Sequence, residues 1–201
     1  MKILVLDTET LGLNDRRVYD LGYVIYDTDA QKVCVMRDYI VKQVYDNPRL
    51  MATAYYGNKR PIYEERLHTR YCKKVWWGTA CRILAKDIKK FKVDALFAYN
   101  SRFDYRAILT TCERYGAKIN PTANGIDDIM RYIATITETE DYKGFCQTHG
   151  FMTKHKKPRC QKKAETLYRY LTGQVGYVEE HTALEDSKIE LKIYLTALAR
   201  A

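Results

Sequence analysis

Two acidic residues end the first apolar run of the chain. Asp7 and Glu9 follow residues 3–6, whose composition predicts a buried strand. Side chains two positions apart on a strand point to the same face, about 6.6 Å apart along the chain. Two adjacent anions at the rim of an apolar sheet repel each other, and a hard cation that prefers oxygen ligands neutralises them. The pair therefore predicts a site for Mg²⁺ or Mn²⁺; the simpler alternative is that both acids only end the strand.

Two later segments place further reactive groups at the ends of predicted elements. Asp104 begins a predicted helix, 102–115, directly after a short apolar run. Ligands of α/β folds bind at that end of a strand, although an acid in a first helical turn also stabilises the helix dipole without any ligand. His181 comes just before the predicted last helix, 184–199, and Asp186 lies within it. A carboxylate that faces inward from a helix needs a partner, because burial of an isolated charge is costly.

The composition fits one domain that binds a polyanion. Of the 201 residues, 46% are hydrophobic, which is enough for a substantial core. Lysine and arginine outnumber aspartate and glutamate by 34 to 25, for a formal charge of +9. Basic surface around an acidic metal site suits nucleic acid, and some of the 18 tyrosines offer rings that can stack on bases. We therefore expect a nucleic-acid partner.

Cysteine usage and apolar runs indicate the compartment. The six cysteines show no small-domain disulfide framework, and no leader-like sequence precedes the first strand. No apolar run approaches the roughly 18 residues that a membrane span requires. We therefore expect a cytoplasmic protein with reduced thiols and no membrane partner.

The pattern of elements predicts an α/β fold. Residues 17–26 and 32–41 are rich in Val, Ile and Tyr, and with the first strand they predict a three-stranded antiparallel unit. Strands and helices alternate after it, which predicts a mixed central sheet whose later strands are parallel and which is flanked by helices. The remaining predicted elements are helices at 49–56, after Pro61, at 76–91, 129–135 and 164–171, and short strands at 95–99 and 126–128.

Three segments together resemble the three motifs of the DEDDh family of 3′→5′ exonucleases. They are LDTETLG at 6–12, YNSRFD at 99–104 and HTALED at 181–186. That family includes proofreading epsilon subunits, ribonuclease T and oligoribonuclease, and the resemblance extends from residue 2 to about residue 195. Thr182 stands where the tyrosine branch of the superfamily has its Tyr, so His181 marks the histidine branch. The resemblance implies a ribonuclease H-like fold in a single exonuclease domain, residues 1–201.

The resemblance also implies a role for each reactive group. Asp7, Glu9, Asp104 and Asp186 would bind two Mg²⁺ or Mn²⁺ ions about 3.5–4 Å apart, with Asp7 between both. Glu9 and Asp186 would complete the ligands of the first ion, and Asp104 would act mainly on the second. His181, whose ordinary pKa is about 6.5, would accept the proton of the attacking water.

Six residues near the metal site are expected to hold the terminal nucleotide: Thr8, Thr10, Leu11, Leu13, Asn100 and Phe103. The backbone of the first three would hold the 3′-OH. One of the two leucines would press against the last base, and the last two residues would line the nucleotide pocket.

One segment, residues 44–77, is longer and more aromatic than its counterpart in the compact members of the family. Basic residues alternate there with tyrosines and two tryptophans. Such a surface is typical of a path for single-stranded nucleic acid. A helical cover with solvated charges explains the same composition equally well. We treat the segment as a helical insertion in the exonuclease domain.

A second segment offers four residues of the types that bind zinc: Cys146, His149, His155 and Cys160. Their number suits a tetrahedral zinc ion, but their spacing fits none of the common patterns. Lysines and arginines at 154–163 favour instead a basic loop that contacts backbone phosphates without reading sequence.

The sequence therefore predicts a two-metal-ion 3′→5′ exonuclease that releases mononucleotides from single-stranded ends, with DNA slightly favoured. An exoribonuclease that trims short RNA or RNA 3′ ends is the alternative enzyme, because nothing in the sequence reads the 2′-OH. A non-catalytic nucleic-acid-binding module is the alternative of another class, but all five reactive groups are present. Association with a polymerase or another replication or repair protein is left open.

Overall fold

A six-stranded mixed sheet forms the centre of the protein, whose computed structural model describes residues 1–118 and 120–200. The strands are β1 (Lys2–Thr10), β2 (Val18–Asp27), β3 (Lys32–Val41), β4 (Lys73–Val75), β5 (Ala95–Ala98) and β6 (Asp127–Asp128). They lie in the order β4-β3-β2-β1-β5-β6. The first three are antiparallel, and β4, β5 and β6 each run parallel to a neighbour. The predicted α/β architecture is confirmed.

Helices flank this sheet. They are α1 (Lys42–Tyr45), α2 (Pro48–Met51), α3 (Arg60–His68), α4 (Trp77–Phe91), α5 (Arg102–Tyr115), α6 (Ala134–Thr137), α7 (Glu140–Thr148), α8 (Ala164–Thr172) and α9 (Ala183–Ala199). Two 3₁₀ turns, Gly57–Lys59 and Ile129–Arg131, precede α3 and α6. Within the described residues, no helix combines the length and the apolar composition that crossing a membrane requires.

Side-chain alternation along β1 separates two cores. Leu4 and Leu6 pack on one face of the sheet, together with residues of α4 and α5. Ile3 and Val5 pack on the other face, together with residues of α7, α8 and α9. Because side chains alternate along a strand, Asp7 falls on the α9 side of the sheet and the next residue on the α5 side.

Gly22 lets α9 approach the sheet beside the acidic end of β1. It pairs with Asp7 across β1 and β2, and a Cβ atom built on it would lie 2.1 Å from the backbone nitrogen of Leu184. The Ser187 hydroxyl donates a hydrogen bond to the Gly22 carbonyl at 3.1 Å. Any side chain at this position would therefore push the start of α9 away from the candidate site.

Two predicted helices are interrupted in the structure. The helix expected at 49–56 ends at Met51, since the following chain turns so that the Tyr55 N–H can donate to the Leu11 carbonyl at 3.1 Å. The helix expected at 129–135 is divided into a 3₁₀ turn and α6. Helix α1, the edge strand β4 and helix α7 were not predicted at all. The α7 start has a recognisable signal, because Thr139 caps it by accepting from the Tyr142 N–H.

Candidate active site

A cleft of about 890 Å³ opens beyond the carboxyl ends of the parallel strands β1 and β5. Side chains from β1, α5, α9, the 44–77 segment and the loop before α8 line it. All of the sequence-predicted site residues except Leu11 lie on its walls. Three segments that are far apart in the chain are therefore brought to one concave surface.

Glu9, His181 and Asp186 lie close enough to share a cation. One possible ligand atom of each lies within 4.8 Å of the other two, and the described residues contain no second such group of His, Cys, Asp or Glu. Asp186 Oδ1 is buried and has no hydrogen-bond partner in the part of the chain that the structure describes. A buried carboxylate oxygen without a donor is costly, so this set of oxygen and nitrogen atoms fits a divalent cation.

The acidic groups of the cleft raise one another's pKa. Burial, followed by the charge of Asp104, raises the pKa of Asp7 well above its ordinary value. Burial and the charge of Asp186 do the same to the pKa of Glu9. Burial also raises the pKa of Asp104 to about 7 and, together with the charge of Glu179, raises the pKa of Asp186 to about 9. These acids can all ionise near neutral pH only when positive charge is supplied, as a metal ion does.

Asp104 is held by the strand that bears Asp7. It lies in the first turn of α5 and is 2% exposed, and Thr8 donates to it from both its backbone N–H and its hydroxyl. Thr8 lies on the α5 side of β1, as the alternation of side chains requires. The backbone N–H of Thr8 is therefore already bonded to Asp104 within the protein.

His181 lies just before α9 with its ring against an aromatic residue. The imidazole stacks on the ring of Tyr56, with centroids 4.2 Å apart and planes 12° apart. Its Nδ1 lies 3.7 Å from the carboxylate of Glu179, and 29% of the side chain is exposed. Burial and the charge of Lys59 lower its pKa below the ordinary value. The imidazole is consequently neutral at neutral pH and able to accept a proton.

Of the two leucines expected to press against a base, one lies in the cleft. Leu13 lines the cleft and is 76% exposed. Leu11 is 2% exposed and packs in the core, with its N–H donating to Arg17 and its carbonyl accepting from Tyr55. The expectation that Leu11 contacts substrate is therefore wrong, because its side chain and its backbone are both used inside the protein. Thr10 lines the cleft near it.

Asn100 and Phe103 also line the cleft. Asn100 has a left-handed backbone, with φ of 60°, and its N–H donates to Asp128 at 3.0 Å. The Phe103 ring lies under the guanidinium of Arg16, 5.8 Å from the ring centroid. An aromatic face beside a cation is a suitable surface for a nucleobase.

Three acids that line the cleft were not predicted from the sequence: Glu165, Glu179 and Glu190. Glu190 is 4% exposed on α9, and its carboxylate accepts from the backbone N–H of Tyr99 at 3.1 Å. Glu190 lies four residues after Asp186, so both side chains lie on one face of α9. This spacing is the sequence feature that could have predicted Glu190 as a cleft residue. Glu179 precedes the histidine, and burial followed by the charge of Glu165 raises its pKa to about 7. Both side chains line the cleft.

The four possible zinc ligands do not come together. Cys146 is fully buried on α7 and contacts Cys160, whereas His149 and His155 are exposed. His149 packs instead against the ring of Phe145, with centroids 4.9 Å apart. Within the described residues these side chains form no group with metal-binding spacing, and no disulfide links any of the six cysteines. Residues 154–159 are exposed, and the basic loop that contacts phosphates stays a prediction.

Comparison with known proteins adds information on the fold. No protein-family model and no curated protein matches the sequence. The crystal structure of the nuclease domain of 3′hExo, a DEDDh family member bound to rAMP, matches with a TM-score of 0.66 at 13% sequence identity. That match covers 98% of this chain and 92% of that one. A full-length 3′-exonuclease matches with a TM-score of 0.60 at 13% identity, over 98% of this chain and 60% of that one.

The chain has the ribonuclease H-like fold of the DEDDh 3′-exonucleases. The resemblance that rests on the three sequence motifs is thereby confirmed for the fold. At this sequence identity the activity has to be argued from the residues of the cleft.

Proposed function

We propose that this protein is a divalent-metal-dependent 3′→5′ exonuclease that releases mononucleotides from single-stranded nucleic acid. The observation that supports it most is the convergence of Glu9, His181 and Asp186, with possible ligand atoms within 4.8 Å of one another. Asp7 and Asp104 lie beside them in the same cleft. A proton acceptor and several metal-binding carboxylates in one place are what phosphodiester hydrolysis requires.

We assign the metal-binding role to four carboxylates. Asp7 would contact both ions, Glu9 and Asp186 would complete the first site, and Asp104 would act mainly on the second. Bound in this way, Mg²⁺ or Mn²⁺ ions supply charge that activates water and stabilises the leaving oxygen. The unpartnered Oδ1 of Asp186 and the raised pKa values of all four acids support the assignment.

His181 is the proton acceptor of this proposal. Its Nδ1 faces Glu179 at 3.7 Å, which leaves Nε2 to take the proton of the attacking water. Its lowered pKa keeps the ring neutral before the reaction. General bases of this kind contribute roughly 10²–10⁴-fold to a rate.

The walls of the cleft suit one unpaired strand. Leu13 lines it with an exposed side chain, and Asn100 and Phe103 line it as well. Lys162 and Lys163 line the same cleft and follow the exposed basic loop, so cationic surface leads into the site. Contacts of this kind bind phosphates without reading the base sequence, which suits an exonuclease. We propose DNA as the slightly favoured substrate. RNA of the same sequence is the alternative substrate to compare with it.

The requirement for a free 3′ end tests the proposal. Purified protein with Mg²⁺ is incubated with 5′-labelled single-stranded DNA and RNA that end in a 3′-OH or a 3′-phosphate, and with circular single-stranded DNA. We expect a ladder of shortened products and free mononucleotides from 3′-OH ends, with strong protection by the 3′-phosphate and no cutting of the circle. Cleavage of the circle would contradict the exonuclease proposal. Binding of all strands without cleavage would favour a non-catalytic module.

A further inference from the structure

His181 has a backbone conformation that the surrounding structure must impose. Its φ of 54° lies in the left-handed region, which residues with a side chain seldom adopt. It immediately precedes Thr182, the extended residue just before α9. A strained residue persists only where its neighbours hold it from several sides. Two tyrosines of the 44–77 segment lie where they can do this.

Tyr56 holds the imidazole ring of His181. The two rings are nearly parallel, at 12°, with centroids 4.2 Å apart. The ring of Tyr55 packs edge-on against the ring of Tyr56, with centroids 4.8 Å apart. The Tyr55 N–H is in turn bonded to the carbonyl of Leu11, at the end of the strand that bears the acidic pair. The plane of the imidazole is thereby linked to the position of β1.

Tyr63 holds the backbone on the other side of the histidine. Its hydroxyl donates to Asp20 Oδ2 at 3.0 Å and lies 3.4 Å from the carbonyl oxygen of His181. The same Asp20 oxygen accepts from the N–H of Ala183 at 2.9 Å, at the first residue of α9. Asp20 is fully buried and Tyr63 is 1% exposed. One oxygen atom therefore joins α3, β2 and the start of α9.

We propose that the 44–77 segment positions His181, with Tyr56 setting the plane of its ring and Tyr63 setting its backbone through Asp20. This inference rests on the proposed function only for the role of His181 as proton acceptor. We class both tyrosines as positioning residues, since Tyr56 contacts the imidazole ring and Tyr63 contacts Asp20 and the backbone of His181. Misplacement of a catalytic group by about 1 Å can cost roughly 10²-fold in rate.

The position of the ring can be tested without nuclease activity. The chain has four histidines, so the imidazole proton signals in an NMR spectrum are few, and His181→Gln assigns the relevant one. A ring stacked on tyrosine experiences its ring current, which shifts the His181 signals upfield. We expect Tyr56→Leu to move those signals downfield and Tyr56→Phe to leave them nearly in place. Unchanged signals in Tyr56→Leu would overturn the proposal.

Kinetics of the same variants test the consequence. Tyr56→Leu should lower kcat by roughly 10–100-fold with little change in KM, and Tyr56→Phe should restore most of kcat because it keeps the ring. A raised KM with unchanged kcat in Tyr56→Leu would instead assign the tyrosine to substrate binding and overturn the proposal. If the wild-type protein cleaves no nucleic acid, the proposed function fails while the spectrum still decides how the ring is held.

Tyr63→Phe tests the backbone side of the proposal and has a matched control. Tyr45 packs against Tyr63 with centroids 6.0 Å apart, and its hydroxyl makes no hydrogen bond to Asp20 or His181 in the described structure. We expect Tyr63→Phe to lower kcat about tenfold at unchanged KM and to shift the His181 signals, and Tyr45→Phe to do neither. Equal effects of the two variants would show that Tyr63 only stabilises the fold and would overturn its positioning role.

Discussion

Thr8 donates two hydrogen bonds to the same oxygen of Asp104, from its backbone N–H at 3.0 Å and from its hydroxyl at 2.8 Å. One residue belongs to β1 and the other to the first turn of α5. Burial raises the pKa of Asp104 and these two bonds oppose the increase. Asp104 is therefore held near the end of β1, the strand that bears Asp7, by two hydrogen bonds within the protein.

Loss of the Thr8 hydroxyl should weaken metal binding at the Asp104 side of the cleft. Groups that orient a metal ligand typically contribute 10–100-fold to metal affinity or activity. We expect Thr8→Val to raise the Mg²⁺ concentration for half-maximal cleavage by roughly tenfold, and Thr8→Ser, which keeps the hydroxyl, to raise it much less. A magnesium titration of both variants measures this. Equal titration curves for the two would show that the hydroxyl has no such role.

Removal of the histidine side chain should slow chemistry more than binding. We expect His181→Ala to lower the cleavage rate by roughly 10²–10⁴-fold with little change in substrate affinity. In the wild type the rate should fall as the pH drops through the pKa of His181, which burial lowers below its ordinary value of about 6.5. Single-turnover rates between pH 5 and 8 test both statements. A flat profile with chemistry limiting would argue against this proton acceptor.

Without metal, the folded protein should lose stability as the pH rises. Burial raises the pKa of Asp104 to about 7 and that of Asp186 to about 9 in the folded state, against about 4 in the unfolded chain. The stability that these groups contribute is fully present below about pH 4 and is lost as the pH rises through their folded values. The melting temperature in EDTA should therefore fall between pH 5 and 9.

Added Mg²⁺ provides the control for this pH dependence. Because the ion binds the ionised acids, the increase in melting temperature that it causes should grow with pH. Each kcal/mol of stability corresponds to roughly 2–4 °C in a chain of this size. In Asp186→Asn the fall with pH should be smaller, since one of the raised groups is gone. A melting temperature in EDTA that is independent of pH would contradict the picture of acids that repel one another.

The basic loop should bind long strands and not the terminal nucleotide. Lys156 and Lys157 are exposed there, several residues before Lys162 and Lys163 at the cleft. We expect a double change of Lys156 and Lys157 to Glu to weaken binding of a long single strand and to reduce its salt dependence, because fewer counterions are released. Affinity for a dinucleotide should change little. Equal losses for both lengths would place the loop inside the catalytic cleft.

Local patterns predicted much of the fold. The bounds of β3 and α5 follow from runs of β-branched residues and from helical periodicity ended by Gly116, which caps α5 in a left-handed conformation. The resemblance of the three motifs to those of the DEDDh exonucleases implied that the acidic end of β1, the start of α5 and the start of α9 would meet. The bounds of β3 and α5 could be predicted because strand composition, helical periodicity and a glycine cap act over only a few residues.

Long-range contacts explain what the sequence did not predict. Leu11 is buried because the chain after α2 turns back to bond it, and the same bond ends the helix that periodicity extends through Tyr55. Glu190 and the ring stack of Tyr56 on His181 depend on how α9 and the 44–77 segment pack. These partners lie 44 to 125 residues apart in the chain, so their contacts depend on how distant elements pack.

Metal-dependent cleavage by the wild type and by Asp7→Asn is the most direct test of the proposed function. The change keeps the size of the side chain and removes one of several repelling charges, so the variant should fold and be at least as stable as the wild type in EDTA. With a uniformly labelled single strand and Mg²⁺, we predict mononucleotide release by the wild type, none in EDTA, and none by folded Asp7→Asn. Release at the wild-type rate in EDTA or by Asp7→Asn would contradict the two-metal exonuclease.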